Sequence, residues 1–215
     1  IEIHPEMQMA YAEAGAMLPK IALESINKSL TGLEFAAGIP GTVGGSIYGN
    51  AGAYNACILD YVTSVTVLDE NLEVKILEHE QIKYSYRTSM FKENKNYIIL
   101  AAKFYLKEGD KTNSLEIVEN RRKRRIDSQP LEYPSAGSVF RNPEGDFAGR
   151  LIESCNLKGY QIGGAQVSEK HANFIINKDN ATSKDIYDLI KFVHDTVLEK
   201  TKVDLLIEQE FIDWE

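Results

Sequence analysis

The stretch from Gly38 to Tyr54, GIPGTVGGSIYGNAGAY, constrains this chain more than any other. Six of its residues are glycine, and nothing in it is an obvious reagent. So bare a backbone is either a connector or a surface against which something flat lies closely, meeting free N–H groups. Linkers of this kind are polar, whereas Ile39, Val43 and Ile47 space these glycines with apolar side chains. A Gly-rich connector is therefore the minority reading on composition. The stretch has no lysine, so it is not the Gly-Lys-Ser/Thr loop that cradles nucleotide phosphates, and the G-x-G-x-x-G dinucleotide pattern is absent too.

Around it the patterning alternates between short strands and helices. Residues 7–14 read as a strand, and Leu18, Ile21, Ala22, Ile26 and Leu30 recur at helical spacing before Gly32. YVTSVTVLDENLEVKIL (61–77) is two β-branched runs around an Asp-Glu-Asn turn, a hairpin pattern. NYIILAAKFYL (96–106) reads as a buried strand, and the polar KEGDKTNS (107–114) as a domain boundary. Beyond it, SLEIVENRRKRRIDS is a charged helix, ANFIIN a short buried strand, and ATSKDIYDLIKFVHDTVLEK the clearest helix. Thr182 and Asp185 have capping-box spacing there, with Asp in place of the usual Glu or Gln. VDLLIEQEFI (203–212) is predicted to close the fold as a strand. Helices and strands mix without strict alternation, which predicts an α+β class.

Charge and cysteine usage narrow the partners. With 32 acidic and 24 basic residues, the net charge of −8 argues against nucleic acid or an anionic membrane as the main partner. Cys57 and Cys155 form no metal or disulfide framework, which predicts reduced thiols and a cytoplasmic location. No apolar run approaches the ~20 residues of a membrane span. IEIHPEMQMAYAEAG is not a signal peptide, and the expectation is a chain that begins inside a domain. The histidines His4, His79, His171 and His194 show no metal spacing.

Several motifs together carry a resemblance. GLEFAAGIPGTVGGSIYGNAGAY, YSYRTSMFK (84–92), YPSAGSVFRNP (133–143) and KGYQIGGAQVSEKHANFIIN (158–177) resemble, in order, segments of the UDP-N-acetylenolpyruvoylglucosamine reductase (MurB) family. The resemblance covers essentially the whole chain, and the short NPEGDFAGRLIE link is similar to that of type II members. It implies the later part of an FAD-binding domain of the vanillyl-alcohol-oxidase/PCMH type over residues 1–110. A MurB C-terminal α+β substrate-binding domain is implied over 111–215. It implies reduction of FAD by NADPH, then hydride transfer to the enolpyruvyl group of UDP-N-acetylglucosamine enolpyruvate in peptidoglycan precursor synthesis. A GGGSN-like turn that holds the FAD pyrophosphate in relatives is not in this sequence. Weak or absent FAD binding by the isolated chain, and an uncovered apolar surface near its N-terminus, are the corresponding expectations.

The resemblance also assigns residues. FAD contacts are implied at Gly38, Ile39, Pro40, Gly41, Thr42, Gly44, Gly45, Asn50, Gly52 and Ala53. Ser138 matches the proton donor. A lone serine more often closes a turn on its own backbone, and no G-x-S-x-G elbow marks a hydrolase. Arg87 matches the arginine at the substrate carboxylate, where a guanidinium stabilises growing negative charge; its plain alternative is a surface ion pair. Glu208 fits the Leu-x-x-Glu of the closing strand, organising the arginine. Glu210 is its rival, and period two puts both on one face. Tyr86, Asn142, Gln161 and Asn173 match substrate-binding positions, with ordinary turn and strand-end hydrogen bonding as the alternative. RRKRR (121–125) reads as a solvated helix face from which one or two arginines could meet a diphosphate. Asn55 stands where relatives usually have glycine. Two other functions remain open: a flavin-free sugar-nucleotide-binding fragment, and another FAD-linked oxidoreductase on the same scaffold.

Overall fold

Period-two alternation builds the first sheet. In Met9–Glu13 (MAYAE), Ala10 and Ala12 point one way and are buried, while Glu13 is exposed. The computed structural model describes residues 1–212, in two units, Ile1–Lys123 and from Arg124 onward. In chain order the first unit has β1 (Glu2–His4), β2 (Met9–Glu13), α1 (Leu18–Asn27), β3 (Leu30–Thr31), α2 (Val43–Tyr48), β4 (Gly52–Ala53) and β5 (Ala56–Cys57). It continues with β6 (Val62–Leu68), β7 (Val74–Glu78), β8 (Tyr84–Ser85), β9 (Thr88–Ser89), α3 (Met90–Glu93), β10 (Ile98–Tyr105), β11 (Lys107–Glu108) and most of α4 (Lys111–Ser128).

An antiparallel sheet in the order β1-β2-β10-β6-β7 forms the body of this unit. The register sets Ala102 between Ala12 and Val65, so its neighbours across the sheet are small or β-branched and all three are buried. Leu18, Ile21, Ala22 and Ile26 of α1 belong to the same buried set, with Pro19 in the first turn, where its missing N–H costs nothing. Each fully buried aliphatic side chain contributes roughly 1.5–3 kcal/mol. β10 is central but not buried throughout, since Ile98 and Tyr105 are exposed. The exposed apolar side chains of this unit include Met7 near the N-terminus. Leu72, Val74, Ile76 and Ile98 are exposed too, with Val74 and Ile98 both paired to Leu68.

The polar segment 107–114 is tied down. Lys107 and Glu108 pair with Thr31 and Leu30, and Ser114 Oγ donates to Glu34 Oε1 at 2.6 Å. Burial pushes the Glu34 carboxyl up, but hydrogen bonds from Ser114, Thr31 and the Gly32 N–H outweigh it and hold the group below its usual range. The division between the two compact units falls inside α4, at Lys123–Arg124.

The second unit continues with β12 (Ser135–Ser138), α5 (Ala148–Ser154), β13 (Gln161–Ile162), β14 (Ala165–Val167), β15 (Phe174–Asn177) and α6 (Ser183–Thr201). Its sheet runs β12-β15-β14-β13. At the start of α6 the Thr182–Asp185 capping box closes in both directions, at 3.1 and 2.9 Å. The stripe Leu189, Ile190, Val193 and Val197 is buried.

The predicted closing strand over 203–212 is corrected by the structure. Only an isolated bridge between Phe140 and Ile207 forms, flanked by Glu208 N–H to Val139 O and Arg141 N–H to Leu206 O, both 2.8 Å. Leu205 is buried but Leu206 and Ile212 are exposed, so this segment has no continuous apolar face to hold it in a sheet.

Candidate active site

The glycine stretch is not a loose loop: its middle is helix α2. Thr42 caps that helix, accepting the Gly45 N–H at 3.2 Å. Three backbone bonds sew it to the β2–α1 connection: Leu18 N–H to Gly41 O, Val43 N–H to Ala16 O and Gly44 N–H to Ala14 O, at 2.8–2.9 Å. The two adjacent glycines then differ in purpose. A Cβ on Gly44 would lie 2.8 Å from the Ala14 Cβ, so this glycine lets α2 touch β2. A Cβ on Gly45 would meet only Thr42 Oγ1 at 3.5 Å, and Gly45 is exposed. Gly44→Ala should therefore destabilise the first unit by about 1–3 kcal/mol through overpacking, read as a lowered denaturant midpoint. Unchanged stability would show that the contact yields.

Asn50 has a structural place. It is 3% exposed; its Nδ2 donates to Ser85 O at 2.8 Å, and its Oδ1 accepts the Leu59 N–H at 3.4 Å. Its side chain ties the end of α2 to the 59 and 85 segments. Gly52 and Ala53 form β4, and the β4–β5 turn carries Tyr54 at φ +55° and Asn55 at φ +61°. A two-residue turn with both φ positive favours glycine, and asparagine, present at 55, is the next most tolerant residue. The Arg121 guanidinium lies 4.4 Å from the centre of the Tyr54 ring, so one member of the basic run packs on an aromatic face.

Arg87 and Tyr86 form the two-residue tip of the β8–β9 hairpin. Arg87 has φ +58°, a conformation that costs an L-residue roughly 1–2 kcal/mol. Bonds to α2's C-terminal end hold the hairpin: Ser89 Oγ donates to Tyr48 O at 2.7 Å, and Asn50 Nδ2 donates to Ser85 O. The glycine-rich segment thus fixes the base of the hairpin that presents Arg87. Tyr86 is exposed.

In the second unit Ser138 ends β12. Its side chain is exposed, and its hydroxyl has no hydrogen-bond partner among the described residues. The β12–β15 register is irregular between Ser135 and Ser138, where Gly137 takes φ +80°. The next residues are held from both sides. Asn173, 4% exposed, accepts the Phe140 N–H at 3.0 Å and donates to Phe140 O at 2.8 Å, while its own carbonyl accepts the Val139 N–H. From the other side Glu208 and Leu206 bond Val139 and Arg141. The Glu208 carboxylate takes a 2.8 Å bond from Arg141 Nε.

Asn173 thus clamps the strand after Ser138. Asn142 Oδ1 accepts the Ala148 N–H at the start of α5, and Gln161 Nε2 donates to Gly163 O, so both serve local structure in this state. Burial pushes the His171 imidazole below its usual range, and its Nδ1 accepts the Asn173 N–H at 3.2 Å. Arg141 was not singled out from the sequence. Its signal was a basic residue three positions after Ser138, legible only once the partner segment was known.

Residues 1–77 match the FAD binding domain, which sets the class: proteins built on a flavin-binding domain. Residues 129–212 match the C-terminal domain of UDP-N-acetylenolpyruvoylglucosamine reductase. Among curated relatives of that name, the protein of Caldanaerobacter subterraneus subsp. tengcongensis is 49% identical over 201 residues, 94% of this chain and 66% of the relative. That of Clostridium beijerinckii is 49% identical over 92% of this chain and 64% of its own length. That of Clostridium botulinum strain Okra is 47% identical over 98% and 69%. The crystal structure of the Thermus caldophilus reductase (MurB) superposes with a TM-score of 0.83 at 32% identity, over 97% of this chain and 73% of that one. The chain belongs to the UDP-N-acetylenolpyruvoylglucosamine reductase family. It spans just under two thirds of the length of the first two of these relatives.

Proposed function

We propose that this chain supplies most of an FAD-dependent, NADPH-consuming reductase of UDP-N-acetylglucosamine enolpyruvate, acting in the cytoplasm in peptidoglycan precursor synthesis. The first unit holds the flavin and the second the sugar nucleotide. The observation that carries this reading is the Ser138 hydroxyl: exposed, unpartnered among the described residues, and set on a strand clamped by Asn173 and the 206–208 segment.

The bare backbone around Gly41 and Gly45 fits a flat ring system. An exposed helical glycine costs about 0.5–1 kcal/mol relative to alanine, and Gly45 has no packing neighbour that requires it. Residues Gly38–Thr42, Gly45 and Gly52–Ala53 would hold the FAD. Bound there, FAD supplies the redox chemistry, accepting a hydride from NADPH and donating one to the enolpyruvyl double bond. Arg87 binds the substrate carboxylate and stabilises the negative charge that develops as the double bond is reduced. Glu208 organises that arginine and polarises the enolate with it. The Ser138 hydroxyl donates its proton to the neighbouring carbon and regains one from solvent, so hydride and proton together saturate the bond.

The flavin assignment is tested by Gly45→Ala in the full-length protein. Fold stability should hold or rise slightly, while the visible flavin absorbance retained through dialysis should fall. Full retention of FAD would remove Gly45 from the site. The substrate assignment is tested by calorimetry and by turnover of UDP-N-acetylglucosamine enolpyruvate; no binding at millimolar ligand counts against it.

A further inference from the structure

We propose that Arg141 is a positioning residue for this reduction: it holds the Glu208 carboxylate in the orientation the reaction uses, and it acts through Glu208. The inference rests on the function proposed above. Arg141 Nε donates to Glu208 Oε2 at 2.8 Å, and the two side chains are 22% and 27% exposed. That separates the pair from surface partners such as Arg122 and Glu119, both 67% exposed, whose attraction water largely screens.

The backbone explains why this pair is set firmly. Glu208 N–H bonds Val139 O and Arg141 N–H bonds Leu206 O, so Arg141 and Glu208 are diagonal neighbours across a short antiparallel contact. Phe140, between them in register, is gripped by the Asn173 amide through both its N–H and its carbonyl. Both ends of the ion pair thus start from fixed main chain, which reduces the side-chain entropy that usually offsets such a contact. The same contact places Glu208 opposite Val139, one residue from Ser138 along the strand. Val139, Arg141 and Glu208 share one face of this contact by strand alternation, so the guanidinium reaches the carboxylate along a face set by the main chain that follows Ser138. A lysine could supply the charge but not the planar Nε–H geometry.

The test is a double-mutant cycle in the flavin-loaded full-length enzyme, using Arg141→Gln, Arg141→Lys, Glu208→Gln and the Arg141→Gln/Glu208→Gln pair. Stopped flow follows flavin reduction by NADPH and its reoxidation by UDP-N-acetylglucosamine enolpyruvate separately. Arg141→Gln should slow reoxidation by about tenfold or more, with flavin reduction unchanged and Arg141→Lys recovering part of the loss. In the Glu208→Gln background, Arg141→Gln should cost little more. If the two losses multiply as independent effects, or if flavin reduction falls in parallel, Arg141 does not act through Glu208 and the inference is overturned alone. A wild type that never reoxidises with this substrate overturns the proposed function, and the inference with it.

Discussion

Replacing Ser138 by alanine in the full-length enzyme should slow reduction of the enolpyruvyl substrate by roughly 10²-fold or more, while NADPH still reduces the flavin at its normal rate. The asymmetry follows from what the hydroxyl does. In the proposed role it takes no part in accepting hydride from NADPH, but gives a proton to the substrate carbon. A serine is a poor acid in water, yet a carbanion-like carbon is a strong base, so a positioned hydroxyl suffices where a free one would not. Position is what the structure supplies. Ser138 sits at the end of β12, after a glycine at φ +80°, and its successors Val139 and Phe140 are pinned by Asn173. Because the side chain is exposed and lacks a partner among the described residues, alanine should leave stability within about 0.5 kcal/mol of wild type. Single-turnover measurement of the two half-reactions decides the matter. An equal loss in both, or none in either, removes Ser138 from the proton-donor role.

The second large effect is expected on folding. Asn173→Asp should destabilise the second unit by about 2–4 kcal/mol. The asparagine amide mimics a strand neighbour for Phe140, giving one donor and one acceptor to the same residue. Aspartate keeps the acceptor, loses the donor, and turns a charged oxygen toward the Phe140 carbonyl at a site only 4% exposed. The carboxylate either stays ionised against a carbonyl or takes up a proton, so the destabilisation should shrink as the pH is lowered through the carboxylate range. Denaturant titrations at neutral and at mildly acidic pH measure this. A midpoint equal to that of wild type at neutral pH would show that the amide does not hold the strand. Substrate reduction should fall too, because the clamp sets the strand that carries Ser138 and Arg141.

Much of the fold was legible in order along the chain. The Asp69–Glu73 turn of the β6–β7 hairpin is where the Asp-Glu-Asn signal put it, with Asp69 accepting the Asn71 and Glu73 N–H groups. The Thr182–Asp185 cap and the apolar stripe of α6 are likewise as read. These features depend on residues three or four positions apart, and a linear sequence shows such spacings directly. The closing segment 203–212 misled because its β-branched and apolar residues suit a strand, while its pairing stops at one bridge to Phe140 and it lacks a continuous buried face. The helix in the glycine stretch was hidden because glycine disfavours helices. Backbone bonds to Ala14, Ala16 and Leu18 outweigh that propensity.

By itself the sequence determined the α+β class, most of the elements, the family motifs and the exposed candidates Ser138 and Tyr86. Only the tertiary structure decided which polar groups the fold consumes. Asn50 reaches Ser85 across 35 residues, Asn173 reaches Phe140 across 33, and Arg141 reaches Glu208 across 67. Composition at one position says that an amide or a carboxylate is present. Whether it is spent on the fold or left for a ligand depends on distant backbone brought within hydrogen-bond reach, and the same long-range packing separates Gly44, pressed on Ala14, from the bare Gly45 beside it.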